Sequence, residues 1–388
     1  MKNKNVSLKP LALAVSALVC SSANAAITIY DDAEVATVSV DASFNTFYVN
    51  TSTESDAAGT SRDQSRVKMG FLPNWLGMNF SKDINGLKVG GRSSFWVTIN
   101  DSNSTVTSTG IDVRQFYATL GSDWGEVLLG KDFTLFNRNN IFLDEILMGY
   151  GNVNDTLGLI DGQGVSFGNI GSGYTYPMPT SQIRYTTPTF GGGFKVAIAA
   201  IDPSPVNAAD DREESAPRIE AEATYSTDFD GGNVTAWVGF LNQGSESDTM
   251  GDVDSTGTSY GVKVGFGGFA LHASGYTGEG IGILLGPTEA ALGLGPVTMY
   301  DMNMNELDSS GYLVQGSYKM DDHRFVVSYG ENEIEDSDYI GHEAMQVAWF
   351  YNYNSHVTFA VEYATSEFSG ILGDEEADTI AIGGIVNF

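Results

Sequence analysis

The sequence predicts an all-β fold, a transmembrane antiparallel β-barrel of about 16 strands. Three observations carry that reading. After Val40, segments of period-2 polarity recur to the last residue. The connectors between them are alternately tight and long, as expected when every second connector lies on the same side of a membrane. Beyond the first 25 residues no apolar run reaches the roughly 18 needed for a membrane helix, while glycine is abundant at 46 and proline scarce at 10.

The elements follow in order. Lys2, Lys4 and Lys9 precede an apolar stretch from Leu11 to Val19, and Ala23-Asn24-Ala25 has the small-x-small form of a cleavage site. Residues 1–25 therefore read as a secretory signal peptide, with a barrel domain over 26–388. Cys20 is the only cysteine, and Val19 is too large to precede a lipidated one. The mature chain is expected to hold no disulfide and no thiolate metal site.

Strands are expected at 37–50, 65–81, 86–100, 111–121, 125–132, 181–188, 193–202, 217–228, 233–243, 257–267, 268–276, 309–319, 323–331, 342–353, 356–367 and 378–388. The second contains Pro73, which cannot donate to a ladder. Tight connectors sit at 82–86, 121–125, 228–232, 320–322 and 352–356; long ones span 51–64, 133–180, 202–216, 244–256, 277–308, 332–341 and 368–377.

Alternation assigns faces. Ile219, Ala221, Ala223 and Tyr225 oppose Glu220, Glu222, Thr224 and Ser226; Phe359, Val361 and Tyr363 oppose Ala360, Glu362 and Ala364; Phe95 and Val97 oppose Arg92, Ser94 and Trp96. Successive side chains point to opposite faces of a strand, so each run has one greasy and one polar side. The expected arrangement puts lipid outside and water inside. Phe47, Tyr48, Tyr225, Trp349, Tyr351, Tyr353, Tyr363 and Phe388 near strand ends suit the headgroup level. Closing about 16 strands leaves an aqueous interior, whereas about eight are filled by side chains.

The chain is acidic. Three of its 19 basic side chains lie in the first 25 residues, so 16 face 49 acidic ones in the remainder, a net charge of −33. That sign argues against nucleic acid as a partner. The acids concentrate in the long connectors, with Glu54, Asp56 and Asp63 in 51–64, and Asp210, Asp211, Glu213 and Glu214 in 202–216. Asp248, Asp252 and Asp254 beside Gly257 are a candidate for Ca²⁺ or Mg²⁺, although the spacing is not that of an EF-hand loop. No other cofactor is expected. Gly164-Val165-Ser166-Phe167-Gly168 matches G-x-S-x-G but lacks the strand before it and the helix after it that a nucleophile elbow requires. His272 near Ser274 is a residual serine–histidine candidate, and the apolar segment 281–294 could hold a short helix opened by Pro287.

Four segments resemble the general porins of Gram-negative bacteria. Arg114-Gln115-Phe116-Tyr117-Ala118-Thr119-Leu120-Gly121 and Trp124-Gly125-Glu126-Val127-Leu128-Leu129-Gly130-Lys131 are similar to one family hairpin. Gln182-Ile183-Arg184-Tyr185-Thr186-Thr187-Pro188-Thr189-Phe190-Gly191-Gly192 is similar to a family strand and turn, and Ile380 to Phe388 resembles the closing strand. The resemblance implies a homotrimer in the cell outer membrane, passing small hydrophilic solutes. It implies that the third loop, 133–180, folds into the lumen and that Phe388 is read by the assembly machinery. It implies a constriction with Arg114, Arg184 and Lys131 at family positions, Lys131 replacing an arginine, faced by Asp144 and Glu145; Arg66, Lys68 and Arg92 extend the basic wall. The loop lacks the family's P-E-F-G-G core.

Three functions follow as expectations. The first is a diffusion channel whose acidic excess favours cations, with outer carboxylates holding divalent cations against lipopolysaccharide. The alternative is a substrate-specific channel, for which Trp96 and Trp237 are the lumen-side aromatics. The third is an outer-membrane enzyme or adhesin without a through-channel.

Overall fold

The computed structural model describes residues 26–388 apart from 33, 57–58, 100–110, 152–166, 205, 207–208, 284–298, 302, 335–340 and 370–373. The signal segment 1–25, Gly164-Val165-Ser166 and the Pro287 helix lie outside the described residues.

The strands are β1 (Ile27–Asp32), β2 (Ala36–Ser55), β3 (Thr60–Lys68), β4 (Asn74–Ile84), β5 (Leu87–Val97), β6 (Ile111–Ser122), β7 (Gly125–Asp132), β8 (Thr180–Thr186), β9 (Phe194–Ile201), β10 (Arg218–Phe229), β11 (Gly232–Ser245), β12 (Val253–Phe266), β13 (Phe269–Glu279), β14 (Asp308–Met320), β15 (His323–Ile334), β16 (Gly341–Asn352), β17 (Val357–Ser369) and β18 (Glu375–Asn387). Apart from β3 and β4, which do not pair with each other, each pairs antiparallel with its sequence neighbour, and β18 closes the barrel on β2 from Glu375↔Ser55 to Asn387↔Ser43. β3 and β4 both pair with the same edge of β2, so together they form one interrupted stave. Sixteen staves result, as the alternation predicted. β1 is an addition that the sequence reading did not anticipate. It folds back on β2 in register Ile27↔Val40, following Phe388, which bonds to Ala42 in both directions.

Short turns close one end. In the β4–β5 turn Asn85 and Gly86 both have positive φ, 54° and 85°. That is the Asn-Gly hairpin geometry whose twist matches the flanking strands.

The faces separate cleanly. Leu271 is 66% exposed and its neighbour His272 is 1% exposed. Val314, Val347, Phe359, Ile380 and Ile382 point out of the barrel and are exposed, whereas Gln315, Gln346, Glu362 and Thr379 beside them are buried inside. Such a surface is stable only against hydrocarbon. Aromatic pairs ring the short-turn end: Phe44 with Phe388, Phe229 with Phe266, Phe269 with Tyr318, and Phe194 with Tyr225. Phe47 departs from the expected girdle. It faces inward, fully buried, against Tyr150.

Candidate functional site

The site is the barrel interior and the segment folded into it. Residues 133–151 and 167–179 of the third long connector cross the lumen, carrying the one-turn helix α1 (Arg138–Phe142). Their contacts read around the inner wall. Leu135 and Phe136 N–H donate to Glu220 of β10, at 2.6 and 2.7 Å. Trp237 of β11 donates to Asn140, Lys263 of β12 to the Leu143 carbonyl, and Gln315 of β14 to Asp144. Gly173 N–H reaches Asn332 of β15. Tyr150 and Gly151 N–H donate to the two carboxylate oxygens of Glu362 on β17, at 2.7 and 2.8 Å. Apolar residues fill the spaces between these bonds. Phe133, Ile141, Leu147, Ile170 and Tyr174 pack with Trp75, Trp96, Leu313, Ile334 and Phe368. Ile146 and Tyr150 pack with Phe47, Val49, Phe350 and Ile385. Inward apolar residues thus occur where the loop covers them.

The break between β3 and β4 completes this seat. Met69, Phe71 and Leu72 turn inward and are buried, and Phe71 N–H donates to the Gly149 carbonyl. The ladder partners lost on β2 are replaced by side chains. Asn45 accepts from Gly70 N–H and donates to the Leu72 carbonyl, and Asn74 accepts from Asn45 N–H.

The inner wall of β3 to β6 carries basic residues that stay half-buried beside the loop. Register with β2 puts Arg62, Gln64, Arg66 and Lys68 of β3 on the inner face, opposite Thr53, Thr51, Val49 and Phe47; Lys68 is buried, the others half-buried. Arg92 of β5 forms a two-pronged pair with Asp41 of β2, at 2.6 and 3.0 Å, and also donates to Asn79 and Gln115. Gln115 donates to Asp132, and Asp132 accepts from Arg184 at 2.9 Å. A belt of alternating charge therefore runs from β2 to β8. Arg114 joins the inner face through a bulge. The β5–β6 register shifts between Ser94 and Phe95, adding the one residue that re-aims a side chain. Its guanidinium lies 4.7 Å from the Trp96 ring centre, bonds Asp112 and donates to Tyr176.

Asp144 and Glu145 lie in the lumen, yet they hold the loop instead of facing a basic wall across water. Asp144 accepts from Asn169, Tyr174 and Gln315. Glu145 pairs with Lys263 and Arg324 of the wall beneath it. Burial opposes the Glu145 charge, but Lys263 and Arg324 together hold its carboxyl below the usual glutamate range. Lys131 is a correction. The β6–β7 register places it opposite Phe116, on the outward face with Leu129, so it does not line the lumen. Asp248, Asp252 and Asp254 do not converge either. Asp252 accepts from Ser247 N–H, Asp254 N–H donates to Glu306, and no metal-ligating group of acids, histidines or cysteines forms among the described residues. Trp96 and Trp237 face inward as read, but the loop buries both. His272 Nε2 and Ser274 Oγ share a face, and neither has a hydrogen-bond partner among the described residues. Residues missed by the sequence reading are Asp41, Gln115 and Asp132. Their signal was inward parity combined with charge or an amide in a membrane stave.

A closed barrel with a lipid-facing exterior, a partly charged interior and a segment folded across it defines a channel protein. The sequence matches the Gram-negative porin family over residues 12–371, and the chain belongs to that family. Its place is accordingly the outer membrane. No curated protein sequence matches it. Among solved structures it is similar to the outer membrane channel DcaP of Acinetobacter baumannii, at 17% identity and TM-score 0.67, covering 92% of this chain and 99% of that one. It is also similar to the anion-selective porin from Comamonas acidovorans, at 15% identity and TM-score 0.66, covering 91% and 100%. Salmonella typhi OmpF, in complex with daunomycin, shares 14% identity at TM-score 0.55, covering 93% and 100%.

Proposed function

We propose that the protein is a diffusion porin whose water path runs between the seated loop and the inner wall of β3 to β6. The observation that carries this reading is the basic row Arg62, Arg66, Arg92 and Arg114 on the inner wall of β3 to β6, half-buried although the loop meets the same wall at Trp75, Trp96 and the β3–β4 break. The substrate-specific alternative loses support from the burial of Trp96 and Trp237, which takes both tryptophans off the water path.

Ion preference is set by two fields. Carboxylates at the long-loop end raise cation concentration at the mouth, as the net charge suggests. The narrow passage itself presents arginines. Screening separates the two, because the Debye length falls from about 30 Å at 0.01 M to about 3 Å at 1 M salt. Cation preference at low salt should give way toward anions at high salt. Reversal potentials across a planar bilayer at both salts test this. A cation preference that does not fall with added salt would refute the basic-passage reading.

The remaining features belong to the same reading. The signal peptide is cleaved near Ala26. The barrels assemble as a homotrimer, as OmpT of Vibrio cholerae does in a trimer form. Phe388, paired to β2 at the closing seam, serves as the assembly signal. Divalent cations and lipopolysaccharide meet an outward row of carboxylates in direct register: Glu331↔Glu343, Glu343↔Glu367, Glu367↔Glu376 and Glu376↔Glu54. Like charges directly opposite on neighbouring strands repel, and a bridging cation relieves that repulsion.

A further inference from the structure

We infer that the closing seam of the barrel is keyed in register twice, by β1 acting as a stop beneath Phe388 and by the Phe47 ring seated on Gly383. The closing register fixes the barrel's shear, and with it strand tilt and diameter. Every other seam joins strands that are neighbours in the chain, so a connector helps to set its pairing. The β18–β2 seam has no such connector: Thr51 and Thr379, bonded across it, are 328 residues apart. A slip of one residue would turn the lipid face of β18 inward. A slip of two keeps both faces, so it is the error that the fold has to exclude.

β2 is long enough to permit that error. It has 20 residues against the 13 of β18, and its surplus edge from Ala36 to Val40 runs in line with β18. β1 fills that edge. Phe388 and Ala42 exchange backbone bonds of 2.9 and 3.1 Å, and Ile27↔Val40 follows directly below. β18 cannot slide toward the short-turn end without displacing β1. Sliding the other way parts β18 from β1 and leaves backbone groups of β2 unpaired between them. The short connector 33–35 ties β1 to its place, with Val35 N–H donating to the Asp32 carbonyl at 3.0 Å. The β1 ladder shifts between Thr28 and Tyr30, and Asp31 and Asp32 follow. A bulge and charges make a poor edge for further strands, so the sheet ends there.

The second key lies on the inner face. Phe47 and Gly383 are directly opposite, and a methyl group on Gly383 would collide with the Phe47 ring. A two-residue slip in either direction brings Ala381 or Ile385 to that place. Both keys have to fail before β18 finds a second register.

Disulfide trapping tests the inference in the processed protein, which holds no cysteine once residues 1–25 are gone. Ile382 is opposite Tyr48, so Ile382→Cys with Tyr48→Cys reports the native register. Ile382→Cys with Thr46→Cys or Asn50→Cys reports a slip by two, because a disulfide needs directly opposed residues. Phe47→Ala removes one key. Ile27→Gly/Ile29→Gly/Tyr30→Gly weakens the other and keeps the chain length. With one key left, the native pair should form and slipped pairs should stay at background. With both removed, slipped cross-links should rise about tenfold or more, the factor that one or two backbone hydrogen bonds supply. The milder combination Tyr30→Gly with Phe47→Leu decides the case if the first yields no barrel by circular dichroism. Slipped pairs in Phe47→Ala alone overturn the stop, and slipped pairs in the glycine variant alone overturn the ring key. Native pairing alone in the combined variant overturns both.

Discussion

Asn45 holds the barrel wall where the backbone cannot. Its side chain makes two bonds to the β3–β4 break, and its N–H donates to the Asn74 side-chain oxygen. Asn45→Ala strands the Gly70 N–H and the Leu72 carbonyl in a buried site, and should cost about 2–4 kcal/mol in denaturant unfolding. The charged residues divide by face. Arg114→Gln should move the high-salt reversal potential toward cations, whereas Lys131→Gln on the outward face should leave it unchanged. Reversal potentials measured on the two variants side by side check the assignment. Arg92, Arg66 and Lys68 could be placed inside from parity alone. Arg114 could not, because the inserted residue in β6 re-aims it; Lys131 was placed inside by the resemblance alone, against the outward parity it shares with Leu129. Asp144 and Glu145 were identified as lumen residues, but their partners Gln315, Lys263 and Arg324 lie more than a hundred residues away in sequence. No local pattern reports such pairings.

At the scale of the elements, strands were legible because lipid outside and water or loop inside impose a strict period of two. Tight turns were legible because they need particular residues. In Asn85-Gly86 both positions lie in the left-handed region. Asn85→Val forces a β-branched residue there and should cost about 1–2 kcal/mol in thermal unfolding, with single-channel conductance unchanged. The interruption of the second stave was signalled by Pro73, but its purpose was not. Residues 69–73 leave the wall to meet the inserted loop, as the Phe71 bond to Gly149 shows. The seat of that loop was hidden for a related reason. Phe47, Phe350 and Ile385 occupy inward positions that a water-filled barrel would make polar, and only the covering loop explains them.

Across the whole molecule, charge is sorted by location. Carboxylates of the interior are consumed in ion pairs and in bonds to the loop, the basic row Arg62, Arg66, Arg92 and Arg114 stays half-buried, and the surplus acid lies at the long-loop rim. The five in-register glutamates from β15 to β2 should make stability depend on divalent cations. Chelation of a sample carrying lipopolysaccharide should lower its melting temperature, and Ca²⁺ should restore it. Glu343→Gln/Glu367→Gln should lose most of that response. Thermal unfolding with and without chelator is the check.

The central claim, that water passes along the β3 side of the inserted loop, is open to one direct measurement. The chain has a single cysteine, Cys20, in the segment proposed to be removed as a signal peptide, so in the processed protein an introduced thiol is read without background. Gln64→Cys and Arg66→Cys should be blocked in current recordings by a charged, water-soluble thiol reagent, while Ser65→Cys and Val67→Cys should not. Block at the odd positions, or at none of the four, would contradict the account.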